Sequence, residues 1–380
     1  MTPSSVRPIR IMHVVGGMER AGTETWLMHV LRNIDRDAFQ MDFVVHTDQP
    51  CAFDEEIRDL GSKVIPCLNH ANPVAYACNF NRILRRHGPY DVVHSHVHNF
   101  SGYILWLARR TGVPMRIAHS HLDTSDFDDA SSHVRRLYIS LTKRMMRNSA
   151  THGLAASEKA AIALFGEDWA ADARWQILYC GIDLNPFAEP VDATVVRAEL
   201  GIAADSFVLG HVGRFMEQKN HGFLIDIAVE VARRESNMRL LLVGDGLLQE
   251  EIRQKIVDKG LADYVIMAGV REDVARLMLG AIDVFVFPSL YEGLGLVLIE
   301  AQAAGLPCVI SDVIPSEADL DGRLISRQPL ATSASEWAEV ILTLNRHSLN
   351  TDKIEYFMKV KRSDFNIASS MSKLVEVYYG

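Results

Sequence analysis

Two short stretches of this chain combine residue types that can hold an anion and a polyhydroxylated ligand. The first is Pro288-Ser-Leu-Tyr-Glu-Gly-Leu-Gly-Leu-Val-Leu-Ile-Glu-Ala-Gln-Ala-Ala-Gly305, which follows the apolar run Asp283–Phe287. A buried strand, a glycine-bearing turn and a helix aim backbone N–H groups at an anion. Gly293 and Gly295 permit close backbone approach, and Leu294 and Leu296 complete the turn. Glu292 sits in the turn and Glu300 two helical turns later. A carboxylate beside a phosphate is repelled, so both glutamates suit sugar hydroxyls. The plainer reading of the same residues is a surface turn and a helix with solvated glutamates.

The second stretch is Gly213-Arg-Phe-Met-Glu-Gln-Lys-Asn220, after the apolar run Phe207–Val212. Arg214 and Lys219 lie on a loop at a strand's carboxyl end, where open α/β sheets bind ligands. Two cations there can neutralise a pyrophosphate. Taken singly, each is equally a solvated surface charge. The histidines offer several candidates: His94 and His96 at the end of one run, His119 and His121 at the end of the next. Asp126-Phe-Asp128 is a DxD of the kind that holds a metal, but it lies among other aspartates and reads as a solvated acidic loop. The spacing reveals no metal-ligand cluster, so no metal is expected.

Elements must position these residues. Apolar runs at Ile9–Val15, Met41–His46, Asp91–His96 and Met115–His119 predict strands. They alternate with helical patterns at Gly22–Asn33, Asn72–Arg86 and Gly102–Arg110. The second half repeats the scheme, with strands at Phe207–Val212, Arg239–Val243, Val265–Ala268, Asp283–Phe287 and Pro307–Ser311. Helices are expected there at Phe223–Arg234 and Leu247–Lys259. Such alternation predicts parallel βαβ units. The whole is therefore α/β, with two doubly wound domains. Tyr179–Pro190, with Gly181, Pro186 and Pro190, reads as the linker. Phe365–Tyr379 reads as an amphipathic terminal helix with Met371, Leu374, Val375 and Tyr378 on one face.

Together the motifs resemble the retaining glycosyltransferases of family 4, which have the GT-B fold of two Rossmann-like domains facing across a cleft. The family's Glu-x7-Glu maps onto Glu292 and Glu300, and its Gly-Arg…Lys onto Gly213, Arg214 and Lys219. Gly244-Asp-Gly246, Tyr-Cys-Gly-Ile-Asp at 179–183 and the N-terminal glycine-rich loop extend the match over almost the whole chain. The text around Arg116–His121 and the linker is most like exopolysaccharide or capsule-type transferases. The resemblance implies an acceptor domain at 1–183, a nucleotide-sugar domain at 184–360 and a terminal helix, 361–380, packing back toward the first domain.

It also implies roles. Arg214 and Lys219 would hold the donor pyrophosphate, Glu300 the ribose, and Glu292 with the amides of Gly293 to Leu296 the sugar and phosphate. Gly269 and Val270 would meet the base. Gly22 would approach phosphate or acceptor, although Ala21-Gly22 stands where the family has two glycines. His119, or else His121, would position sugar or acceptor. The implied reaction is metal-independent transfer, with retention, from a UDP- or GDP-sugar to a glycan or lipid-linked acceptor in polysaccharide biosynthesis. A nucleotide-sugar epimerase and a catalytically silent nucleotide-sugar-binding protein are the competing readings. A dehydrogenase fits less well, because Gly16-Gly-Met-Glu-Arg-Ala-Gly22 lacks GxGxxG spacing.

Composition bounds these readings. A length of 380 residues suits two domains. The net charge of −9 argues against nucleic acid as partner. Five scattered cysteines without a CxxC suit a reducing cytoplasm, and no apolar stretch is long enough to span a bilayer. One segment bears on membranes. Over Ser132–Arg147, Val134, Leu137, Tyr138, Leu141 and Met145 share a helical face, with Arg136, Lys143 and Arg147 opposite and no acidic residue between. Two readings stand: a core-packed helix with a solvated basic back, or a peripheral contact with an anionic membrane.

Overall fold

The computed structural model describes residues 7–123, 132–346 and 353–380. It divides into two compact units, Met1–Gly181 with Ile367–Gly380, and Ile182–Asn366. The Asp126-Phe-Asp128 segment lies outside the described residues.

The first unit is built on strands β1 (Ile9–Val15), β2 (Phe39–Val45), β3 (Val64–Pro66), β4 (Val92–Ser95), β5 (Met115–Ser120), β6 (His152–Ala155) and β7 (Trp175–Ile177). Their order in the sheet is β3-β2-β1-β4-β5-β6-β7, all pairs parallel. Helices cover both faces, which is why β1 and β2 read as near-continuous apolar runs. Helix starts are written locally. Asn72 accepts from the amides of Val74 and Ala75 ahead of Pro73, and Ser157 accepts from Ala160. Chain direction across the sheet reverses between β1 and β4, so the crevice of this unit lies at their carboxyl ends.

The second unit has β8 (Phe207–Val212), β9 (Met238–Val243), β10 (Val265–Gly269), β11 (Val284–Phe287), β12 (Cys308–Ser311) and β13 (Ile325–Gln328), in the parallel order β10-β9-β8-β11-β12-β13. Its reversal lies between β8 and β11. The core joins sheet residues such as Leu209, Leu240 and Val286 to helix residues such as Leu224, Ile252 and Trp337.

The chain ends in a helix, Ile367–Tyr379, that belongs to the first unit. Its buried residues are Ile367, Ser370, Leu374, Val377 and Tyr378, whereas Met371 and Val375 are only half-buried. The inward face is thus rotated from the purely apolar stripe, because polar Ser370 is bonded inside. It accepts from Trp26 Nε1 at 3.2 Å and donates to the Tyr179 carbonyl at 2.7 Å.

The helix His133–Ser149 corrects a second expectation. Its buried residues are Ile139, Thr142, Met146 and Ser149. Val134, Leu137, Tyr138 and Leu141 face solvent, Val134 being 80% exposed. The apolar stripe is therefore not a core face. Of the basic residues, Lys143 donates to the Ala163 carbonyl at 2.6 Å and Arg147 to that of Phe165 at 3.2 Å. Both close the carboxyl end of the helix Glu158–Phe165, where cations meet the partial negative charge of its last carbonyls. Arg136 lies 2.9 Å from His133 Nδ1.

Candidate functional site

In the second unit, the loops leaving β8 and β11 flank the point of reversal and are tied to each other. Leu290 N donates to the Gln218 carbonyl at 2.8 Å, and Asn220 Nδ2 to that of Pro288 at 3.2 Å. The loop after β9 joins from the other side. Phe215 N donates to the Asp245 carbonyl, and Gly244 N to that of Gly269. Gly244 and Gly246 both have positive φ, and a Cβ at Gly244 would lie 2.2 Å from the Gly213 carbonyl oxygen. Only glycine allows these loops to touch. Gly213, Arg214, Lys219, Gly269 and Glu292 are thereby gathered at one edge of one sheet.

Within that edge, Lys219 Nζ lies 2.6 Å from Glu292 Oε1 and 4.8 Å from the centre of the Phe287 ring. The pair is nearly enclosed, and Gln218 Nε2 adds a 3.3 Å bond to the other carboxylate oxygen. Gly213 packs against both Lys219 and His211, whose ring is held by the Val286 carbonyl at 2.9 Å. Arg214 is exposed on the same loop. Its guanidinium makes no hydrogen bond or ion pair with the described residues, so it is available to an incoming anion.

The turn from β11 into the helix Leu296–Ala303 is completed by Gly295, the N-cap, at φ 85 and ψ 60. That left-handed conformation favours glycine. No described side chain caps the helix; Leu298 N donates to the Gly295 carbonyl at 2.8 Å, which leaves the amides of Leu296 and Val297 for a ligand. Leu294 is buried and fixes the turn, and Leu296 is half-buried. Among the described residues Glu300 has no charged partner. Burial raises its carboxyl to about pH 7, far above the ordinary carboxylate range. Gly269 has φ 67, and Val270 after it is 48% exposed, an apolar surface at the same sheet edge.

In the first unit, Gly22 opens the helix Gly22–Asn33, again with no side-chain cap. His119 is fully buried near the end of β5 and touches the edge of Trp26, ring centres 5.2 Å apart. It is one of five clustered histidines. His94 Nε2 meets His119 Nδ1 at 3.2 Å, and His94 Nδ1 meets the Tyr378 hydroxyl at 2.9 Å. His13 Nδ1 meets His96 Nε2 at 3.0 Å, and His96 Nδ1 meets His121 Nε2 at 2.8 Å. Burial drives all five below the usual histidine range, His13 and His121 to about 3, so the rings are neutral.

In the sequence these histidines stand as separate candidates. Register explains why they meet. His13 pairs with His94 across β1 and β4, and His94 with Ile117 across β4 and β5. With a side-chain period of two, His96, His119 and His121 fall on that same face. The doubled His-Ser-His at 94–96 and 119–121 was the available signal.

Comparisons with known proteins bear on the family and the fold. Residues 21–178 match the glycosyl transferase 4-like domain, and residues 206–347 match the glycosyl transferases group 1. The chain is 39% identical over 335 residues to the Bacillus subtilis protein named "Putative glycosyltransferase EpsF", covering 87% of this chain and 86% of that one. The chain belongs to the family 4 glycosyltransferases. An Escherichia coli enzyme named UDP-Gal:alpha-D-GlcNAc-diphosphoundecaprenol alpha-1,3-galactosyltransferase is 30% identical over 198 residues, 48% of this chain and 50% of its own. Among solved structures, Anabaena HepE in complex with UDP-glucose superposes with a TM-score of 0.79 at 21% identity, covering 98% of this chain and 99% of that one. The fold of this glycosyltransferase is accordingly the two-domain α/β GT-B class.

Proposed function

We propose that this glycosyltransferase moves a sugar, with retention and without a metal, from a nucleotide-sugar donor to a glycan or lipid-linked acceptor in polysaccharide or glycolipid biosynthesis. The observation that carries the reading is the edge of the second unit. There an open helix start, an exposed Arg214 and the Lys219–Glu292 pair converge at the sheet's point of reversal. The printed names of relatives support the substrate classes: HepE is described with UDP-glucose, and the Escherichia coli enzyme acts on a lipid-linked diphosphate sugar. A uridine nucleotide is the first donor to try and a guanosine nucleotide the second.

As the bond to the leaving nucleoside diphosphate breaks, negative charge grows on its phosphate. Arg214, Lys219 and the amides after Gly295 supply fixed positive charge at that point, which lowers the barrier. Glu292 holds Lys219 through Oε1, and Oε2, which accepts from Gln218, has a second lone pair for a sugar hydroxyl, while Glu300 takes the ribose. No described residue at this edge is an obvious enzyme nucleophile, which supports attack by the acceptor from the leaving-group face.

Product analysis with a panel of UDP-, GDP- and ADP-sugars tests the proposal. A new glycoside with the donor's anomeric configuration is expected. An epimerised donor would turn the reading to the epimerase class, and binding without turnover to a silent receptor. A membrane-surface acceptor is favoured by one further observation: the exposed Val134, Leu137, Tyr138 and Leu141 beside Arg144 on one helix.

A further inference from the structure

The five histidines of the first unit form more than a packed core. Two groups, His13-His94-His96 and His96-His119-His121, place one ligating atom per residue within 4.8 Å of each other. Hydrogen bonding tells them apart. Both nitrogens of His94 are already engaged, by Tyr378 and by His119. In the other group each ring has one nitrogen turned outward to a partner. His119 Nδ1 faces His94 Nε2 at 3.2 Å, His96 Nε2 faces His13 Nδ1 at 3.0 Å, and His121 Nδ1 faces Cys180 Sγ at 3.6 Å.

That leaves His96 Nδ1, His121 Nε2 and His119 Nε2. The first two are 2.8 Å apart. The third is buried with no hydrogen-bond partner. An orphaned polar atom in the interior is costly, and a native structure normally gives it a partner. We infer that His96, His119 and His121 form a three-histidine site for a divalent late first-row metal, zinc first among them. Three neutral imidazoles are the ligand set such ions take. The outward N–H of each ring then donates to an acceptor already in place, the second layer that orients metal-bound histidines. His96 and His121 are half-buried, which leaves a route of entry and room for a water as fourth ligand. Zinc–nitrogen bonds of about 2.0–2.1 Å in tetrahedral geometry set ligating nitrogens roughly 3.3 Å apart. His96 Nδ1 and His121 Nε2 need to separate by about half an ångström, and the His119 ring, whose centre lies 4.0 Å from that of His121, completes the group within 4.8 Å.

This site lies within the first unit, and its occupancy can be measured whatever becomes of the donor chemistry. Full-length protein without a histidine tag is stripped with chelator and titrated with zinc by calorimetry and with cobalt by visible absorption. Saturable binding of a single ion per chain is expected, with the strong visible bands of tetrahedral cobalt. His96→Gln and His121→Gln should each abolish it, and Cys180→Ser should weaken it about 10–100-fold. His152→Gln, on β6 outside the cluster, should bind as the wild type does. Circular dichroism of the stripped variants separates lost binding from lost folding, and Cys180→Ser serves if the histidine variants do not fold. Absence of saturable binding by the wild type overturns the assignment. So does binding that survives both His96→Gln and His121→Gln.

Discussion

At the scale of single residues, Glu300 is the most informative. Its carboxyl is raised to about 7 by burial. The folded chain therefore holds this proton more tightly than the unfolded chain. Ionising the group costs stability that is lost as pH rises from the ordinary carboxyl range through about 7. A ribose hydroxyl donates best to the ionised form, so nucleotide affinity should instead rise through the same window. The limit for one proton is about tenfold per pH unit. Calorimetric titration of UDP between pH 6 and 8 (roughly one unit either side of that value) checks this. Glu300→Gln should flatten the profile, leaving only what the phosphate's own ionisation contributes. A wild-type profile identical to that of the variant would remove Glu300 from the ribose. Lys219 is a poorer probe. Its removal would leave the enclosed Glu292 carboxylate without its cation, with only the Gln218 amide to hold it, at a cost of up to about 3–5 kcal/mol of stability.

At the scale of elements, the long buried strands and the helices after them were legible because both faces of a parallel sheet are covered, which writes near-continuous apolar runs. β3, β6, β7 and β13 were not. They are three or four residues long, and β13 reads Ile-Ser-Arg-Gln at a half-exposed sheet edge. The candidate donor residues were legible as two motifs, since each lies on one contiguous loop. The Lys219–Glu292 contact and the histidine cluster were not, because the first needs β8 beside β11 with their loops bonded together and the second needs the register of β1, β4 and β5. The helix His133–Ser149 carried a real amphipathic pattern, but its period could not tell which face turns inward. Four exposed apolar side chains on that helix predict binding to anionic vesicles. Flotation with phosphatidylglycerol liposomes should recover the wild type, and Leu137→Glu with Leu141→Glu should abolish recovery. Equal recovery of both forms would show that this face is not the contact. Charge reversal at Lys143 or Arg147 is a weaker test, since both side chains hold the neighbouring helix end.

At the scale of the whole molecule, the first unit is completed by the last residues of the chain. Leu374, Val377 and Tyr378 are buried there, and Ser370 satisfies Trp26. Each large apolar side chain fully buried is worth about 1.5–3 kcal/mol, so losing this helix removes several kcal/mol from a total of about 5–15. A chain ending at Asn366 should therefore lose the cooperative melting of the first unit and keep that of Ile182–Asn366, as two-transition calorimetry would show. Retention of both transitions would contradict this. The family assignment rests on most of the chain, whereas the proposed chemistry rests on Arg214 and its neighbours. The most direct test is the turnover number and donor affinity of purified full-length enzyme and its Arg214→Ala and Arg214→Lys variants, measured with chelator present. The wild type should transfer its sugar unimpaired by chelator. Arg214→Ala should turn over about 10²–10³-fold more slowly with donor affinity little changed, and lysine should restore only part of the rate, lacking the planar fork. A variant that loses donor affinity while keeping its rate, or a wild-type activity lost to chelator and restored by magnesium or manganese, would contradict it.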